Sequence, residues 1–181
     1  MKLIWLDLET TGLDPQYDRI LEIAVSEADL LAPFDARVIY HEVFPLHPEQ
    51  VLDGFVKDMH TKNGLLEECY ARYTADSEVY PMHVYGRARQ VLCDLIPKAE
   101  SREDTPVLAG SSIHFDHEFL KHNIPLLGAR FSHRHYDVSS VKLFCESIGM
   151  PKLPRAEAHR AREDVLESID HAKKCAAWLK G

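Results

Sequence analysis

Residues Lys2 to Gly12 read Lys-Leu-Ile-Trp-Leu-Asp-Leu-Glu-Thr-Thr-Gly, an apolar run in which two acids stand two positions apart. No other stretch limits the possible folds so much. On a β-strand, residues i and i+2 share a face, which sets Asp7 beside Glu9 and puts Ile4, Leu6 and Leu8 on the opposite side. Adjacent carboxylates repel, and one of them keeps a proton unless a cation is shared between them. A hard divalent metal ion is the simplest physical answer. The same residues also fit an edge strand whose polar face is solvated, so the choice rests on the remainder of the chain.

At 181 residues the chain is long enough for one domain with a substantial hydrophobic core and short for two, so residues 1–181 are expected to form a single domain. A content of 45% hydrophobic and 28% charged residues is that of a soluble globular protein. The net charge of -8 excludes a protein that coats long nucleic acid through nonspecific phosphate contacts, which needs a basic surface. It leaves a nuclease open, because metal-holding acids contribute to that sum. Cys69, Cys93, Cys145 and Cys175 are scattered, with no C-x-x-C pair, and read as reduced thiols of a cytoplasmic protein. The N-terminal run is too short for a secretory signal, and no apolar stretch reaches the length of a membrane span.

After the first strand, Thr11 to Pro15 forms a turn, and Arg19 to Val25 and Arg37 to Phe44 read as two further strands. Short connections join the three, which predicts an antiparallel meander. From Pro48 the spacing becomes helical, with Val51, Leu52 and Phe55 on one face, then Leu65, Leu66 and Cys69 in a second short helix. A longer helix is predicted from Tyr80 to Ile96, a buried strand over Pro106–Gly110, and a helix from about Asp116. Val138 to Ile148 makes an amphipathic helix closed by Gly149, and a last helix runs from Ala161 to Leu179. A meander followed by alternating helices and short strands predicts an α/β fold with a mixed β-sheet flanked by helices.

Two further stretches carry acids in telling places. Asp116 follows the buried strand at the start of a helix, where an Asp also serves as a simple cap. His159 stands five residues before Asp164. On one continuous helix that spacing points the two side chains apart, so His159 belongs to the preceding loop and Asp164 to the first turns of the last helix.

Asp7-x-Glu9 on a first strand, Phe115-Asp116 in mid-chain and His159-x-Ala161-x-x-Asp164 before a final helix together resemble the three motifs of the DEDD exonucleases, in their His-bearing branch. That superfamily holds proofreading exonucleases, RNase T and oligoribonuclease, all 3′ to 5′ exonucleases on a ribonuclease-H-like fold. Asp7-Leu8-Glu9-x-Thr11-Gly12-Leu13-Asp14-Pro15, His60-Thr61-x-x-Gly64-Leu65 and Arg134-x-x-Asp137-Val138-Ser139 resemble oligoribonuclease in particular. The resemblance implies that Leu13 wedges between two bases and that Phe55 offers an aromatic face. It implies that His60, Ser112, Arg134 and Ser139 gather round a 5′-terminal phosphate, favouring very short single-stranded oligonucleotides, RNA above all. It further implies a homodimer, with the Arg134 region supplied by the second subunit. Thr10, Phe55, Phe115 and His133 stand where oligoribonucleases usually carry Met, Trp, Gln and Tyr. Asp-x-Glu-Thr-Thr-Gly and Phe-Asp are more typical of the proofreading and RNase T side, so a nuclease acting on longer single-stranded DNA or RNA is the competing reading. A catalytically silent nucleic-acid-binding module is a third, and its usual sign, loss of an acid or of the His, is missing.

Asp7, Glu9, Asp116 and Asp164 are hard oxygen ligands suited to two Mg²⁺ or Mn²⁺ ions, which in such sites lie roughly 3.5 to 4 Å apart. Held there, such a pair would supply the charge to activate an attacking water and to stabilise the leaving 3′ oxygen. An imidazole, with an ordinary pKa of ~6.5, suits His159 to take the proton from that water near neutral pH. Zinc at His133/His135 or His114/His117 lacks the closely spaced cysteines of structural zinc sites. Arg155, Arg160 and Arg162 are expected either near substrate phosphates or on a solvated helix start. Tyr70, Tyr73, Tyr80 and Tyr85 read as packing and surface residues, and Trp5, Leu166, Ile169 and Trp178 as core.

Overall fold

The computed structural model describes residues 2–30, 36–74, 84–156 and 158–181. Their elements are, in order, β1 (Leu3–Thr10), β2 (Ile20–Glu27), β3 (Arg37–Val43), α1 (Gly54–Lys62), α2 (Leu65–Ala71) and α3 (Gly86–Leu95), then β4 (Val107–Gly110), α4 (His114–Asn123), α5 (Pro125–Gly128), β5 (His135–Asp137), α6 (Val138–Ser147) and α7 (Ala161–Leu179).

The strands form one mixed five-stranded sheet in the order β3-β2-β1-β4-β5. β1 to β3 make the expected antiparallel meander, while β4 and β5 are added parallel to β1. β1 is therefore the central strand and not an edge. Its two faces are buried in different cores. Ile4, Leu6 and Leu8 pack with Ile23, Val25, Ala88, Leu92, Phe119 and Leu120 under α3 and α4. Trp5, on the same face as Asp7 and Glu9, packs with Ala24 and Ala109 against Val165, Ile169 and Ala172 of α7. The solvated-edge alternative thus fails: a helix covers the acidic face.

Several boundaries differ from expectation for local reasons. α1 begins at Gly54 because Asp53 caps it, its carboxylate accepting the Phe55 amide at 2.9 Å. Val51 and Leu52 precede that cap, and Val51 is 92% exposed. The strand β5 has three residues, too few for a pattern, and owes its existence to parallel pairing with β4. Described helix in the Tyr80–Ile96 segment runs over Gly86–Leu95, and Tyr80 itself lies outside the described residues. Trp178 is not core: it sits in the last turn of α7, 38% exposed. The four cysteines are free, three of them buried, and no described helix is long and apolar enough to cross a membrane.

The β1–β4 contact admits no side chain at Gly110. A Cβ there would stand 2.6 Å from the Leu6 carbonyl oxygen and 2.9 Å from Ile113 Cδ1. Gly110→Ala should therefore cost about 1–3 kcal/mol of stability by overpacking, read as a lowered urea midpoint with an unchanged slope.

Candidate active site

Three elements bring the acids together. β1 supplies Asp7 and Glu9, α4 supplies Asp116 from its first turn, and α7 supplies Asp164 from its own first turn. The parallel β1–β4 ladder runs from Leu3/Val107 to Trp5/Ala109 and then stops. Beyond it, the Leu8 amide donates to Asp116 Oδ1 at 2.9 Å, a buried bond across 108 residues of chain. Asp116 is thus no helix cap. It replaces a strand partner, and it locks α4 to the acidic strand.

His159 lies on the loop before α7, as its spacing required, with the left-handed φ of 49°. Ligand atoms of Glu9, His159 and Asp164 lie within 4.8 Å of one another. Asp7 and Asp164 line a cleft of about 190 Å³ with Ser112, Ser139, Lys142 and Arg155. A neighbouring cavity of about 390 Å³ is lined by His159, Asn63, Met59 and Phe55.

Burial leaves its mark on every acid, and repulsion by the other site acids adds to it at Asp7 and Glu9. Asp7 is held well above the usual carboxylate range, first by burial and then by the charges of Asp116, Glu9 and Asp164. Burial, reinforced by Asp164 and Glu22, pushes Glu9 up to about 8. Burial takes Asp116 to about 8 against the opposing pull of the Leu8 amide, and Asp164 to about 6 against that of His159. Four hard oxygen donors that cannot all ionise alone are what a divalent cation relieves, so the residues present fit metal binding.

The other predicted side chains fall into separate groups. Ser112 and Ser139 meet, their hydroxyls 3.3 Å apart, and both flank the Asp137 carboxylate through their amides. His60 does not join them. It is buried beside Glu9, its Nε2 3.7 Å from the carboxylate, and burial holds its pKa down at about 4, so it stays neutral there. Leu13 sits 81% exposed on the turn braced by Asp18, which accepts from Thr11 Oγ1 and the Asp14 amide, each at 2.9 Å. Phe55 is likewise exposed. Arg134 is exposed and does not line the cleft formed by Ser112 and Ser139. Of the tyrosines, Tyr85 packs edge-on against Phe44 and its hydroxyl donates to the Ile20 carbonyl, a structural role.

Two groups at the site escaped the sequence reading. Glu22 is fully buried on β2, opposite Glu9, and Asn63 donates from Nδ2 to the carbonyl oxygen of His159. Glu22 had a signal: a lone acid inside Ile-Leu-Glu-Ile-Ala-Val is as anomalous as Asp7 and Glu9. Arg160, expected at phosphate or in solvent, is at neither, because it is bonded to Glu22 and Glu68.

A family model described as Exonuclease matches residues 4–78. The oligoribonuclease of Chromobacterium violaceum is 33% identical over 94% of this chain and 91% of its own length, and that of Mycobacterium ulcerans is 35% identical over 93% and 76%. The chain belongs to the oligoribonuclease family. Among solved structures, Escherichia coli exonuclease I in complex with a dT13 oligonucleotide superposes with TM-score 0.62 at 16% identity. That match covers 99% of this chain but 42% of exonuclease I. The nuclease domain of 3′hExo, a DEDDh family member bound to rAMP, gives 0.50 at 13% identity over 99% and 92%. These likenesses concern the fold, which is the ribonuclease-H-like α/β architecture of the DEDDh exonucleases. The oligoribonuclease-family chain thus has its acids where that fold gathers the end of the first strand and two helix starts.

The raised carboxyl pKa values set a sign for stability. Glu9 titrates at about 8 in the folded metal-free protein and at 4.5 as an ordinary Glu, so between those values the native state holds the extra proton. Stability of the metal-free protein should therefore fall as pH rises from about 5 to 8. Added Mn²⁺ should raise the melting temperature most at the upper end, since it competes with those protons. Melting curves with EDTA and with Mn²⁺ across that range check both signs.

Proposed function

We propose that this chain is one metal-dependent exonuclease domain that degrades short single-stranded oligoribonucleotides from the 3′ end to nucleoside 5′-monophosphates. The observation that carries this reading is the convergence of Asp7, Glu9, Asp116 and Asp164 with His159 at one end of a central strand, in a chain of the oligoribonuclease family. The four carboxylates would hold two divalent cations, Mg²⁺ or Mn²⁺. When bound there, such ions supply positive charge against the charge growing on the phosphate and its leaving oxygen.

The remaining chemistry falls to the protein. His159 can serve as a ligand or as a base. The oxygen preference of Mg²⁺ and Mn²⁺ leaves its imidazole for the base role, accepting the proton of the attacking water. Glu9 and Asp164 flank that imidazole, with ligand atoms of the three residues within 4.8 Å of one another. Ser112 and Ser139, joined in the cleft beside Asp7, offer hydroxyls to a terminal phosphate, with Lys142 and Arg155 as the positive charges on the same walls. Phe55, on the wall of the cavity next to His159, offers a stacking face for a base, and the exposed Leu13 a wedge.

We also assign a homodimer. Leu143, Phe144 and Ile148 leave 67%, 56% and 51% of their surface exposed on or just beyond α6, the helix that follows the exposed Arg134. A second copy placed on that face would cover them and bring its own Arg134 to the phosphate.

A length series from dinucleotides to long strands, in ribose and deoxyribose, read by product size, tests the substrate class. Turnover should be fastest on the shortest RNA, and a preference for long single-stranded DNA would instead favour the proofreading type. His159→Ala should lower kcat by about 10²–10⁴-fold with oligonucleotide and Mn²⁺ binding kept, and a near-wild-type rate would remove the base role. Asp7→Ala should lose both activity and Mn²⁺ affinity by calorimetry. Phe144→Glu should convert the dimer to monomers in light scattering.

A further inference from the structure

His159 has a backbone that its own sequence does not explain. Its φ of 49° is left-handed, a conformation that is strained for a residue with a Cβ and persists where the surroundings impose it. The next residues begin α7, yet the cap position, Arg160, makes no capping bond of its own.

The missing partners come from elsewhere. Glu22 Oε2 accepts the Ala161 amide at 3.0 Å, performing the cap from a strand 139 residues away. The same carboxylate takes Arg160 through Nε to Oε2 at 3.1 Å and Nη2 to Oε1 at 3.1 Å, a two-point grip. Arg160 Nη1 reaches Glu68 at 3.0 Å. On the other side, Asn63 donates from Nδ2 to the His159 carbonyl oxygen and accepts the Leu65 amide on Oδ1 at 3.0 Å. Residues 159 to 161 are thus held at three successive backbone or side-chain points, by β2, by α2 and by the turn between α1 and α2.

A buried ion pair adds little net stability, because desolvation offsets attraction, whereas it fixes geometry well. Glu22 also stands directly opposite Glu9 in the β1–β2 register, so the clamp is referenced to the strand that carries the acids. We propose that Glu22, Arg160 and Asn63 are positioning residues that impose the backbone of His159 and thereby aim its imidazole at the reaction centre. This rests on the reading of His159 as general base. The clamp grips the backbone on either side of the His159 ring, while Asn63 also lines the cavity beside Phe55 and Glu22 adds its charge to the field at Glu9.

The experiment compares Asn63→Ala and Glu22→Gln, the second keeping an oxygen for the Ala161 amide so that the fold survives, each in the wild-type and the His159→Ala background. A misplaced base should lower kcat by roughly tenfold to a hundredfold in the wild-type background, a larger change than in KM or in the Mn²⁺ Kd. In the His159→Ala background the loss of kcat from either variant should be several-fold smaller than in the wild-type background, because positioning and base act as one unit. A readout free of metal and turnover is the His159 ring ¹H–¹³C signal of the metal-free protein, assigned by its loss in His159→Ala. It should shift or broaden in both clamp variants. Equal losses of kcat in both backgrounds, unchanged kcat in the wild-type background, or an unmoved ring signal would each overturn the clamp. A wild-type rate for His159→Ala alone would overturn the general-base reading, and the ring signal would still decide whether the clamp holds the residue.

Discussion

Asp7, Glu9, Asp116 and Asp164 each carry a charge that burial penalises, and the sheet forces them together. Solvation that a carboxylate loses on burial is restored only by a proton, a hydrogen-bond donor or a cation. All four groups are accordingly held above the usual carboxylate range. Much of the surrounding architecture follows from it. Asp116 takes one donor, the Leu8 amide, at the point where the β4 ladder ends. Glu22 lies among the same negative charges yet behaves oppositely: burial would raise its pKa, but bonds from Arg160, His41 and the Ala161 amide lower it. The site therefore separates into acids left short of partners and one acid supplied with three.

How much of this could be read from the sequence depended on whether a residue's role broke a local pattern. Asp7 and Glu9 were legible because they interrupt an apolar strand, and α7 was legible to its end residues because its apolar positions repeat without a breaker from Ala161 to Leu179. The His159–Asp164 spacing excluded a single helix and so placed the loop. β5 could not be seen, since three residues have no period and their strand character comes from a neighbour. α1 was placed too early because Val51 and Leu52 have helical spacing, while the Asp53 cap decides where the helix begins.

Side chains that act through another residue were the least legible. Asn63 lies within the His60–Leu65 motif, at a position where an amide reads as ordinary turn chemistry, and its partner is 96 residues away. Arg160 reads as solvated or phosphate-seeking by composition, because nothing local announces a buried carboxylate 138 residues upstream. His60 shows the converse. Its motif placed it near a phosphate, but the fold buries it beside Glu9, and burial keeps its ring neutral against the pull of the Glu22 charge.

Among the described residues, two that are not glycine adopt a left-handed backbone, Ser112 and His159, and both stand at the cleft or cavity beside the acids. Together they put left-handed backbone on the rims of both cavities, next to the irregularity in the β1–β2 register between Glu9 and Thr10. For protein engineering this divides the molecule into two zones. Helix surfaces are open to stronger helix formers, and remote loops of compatible backbone to proline, as substitutions that raise thermal tolerance. The rim would gain stability from any change that relaxed its backbone, and would lose by that same change the alignment on which turnover depends.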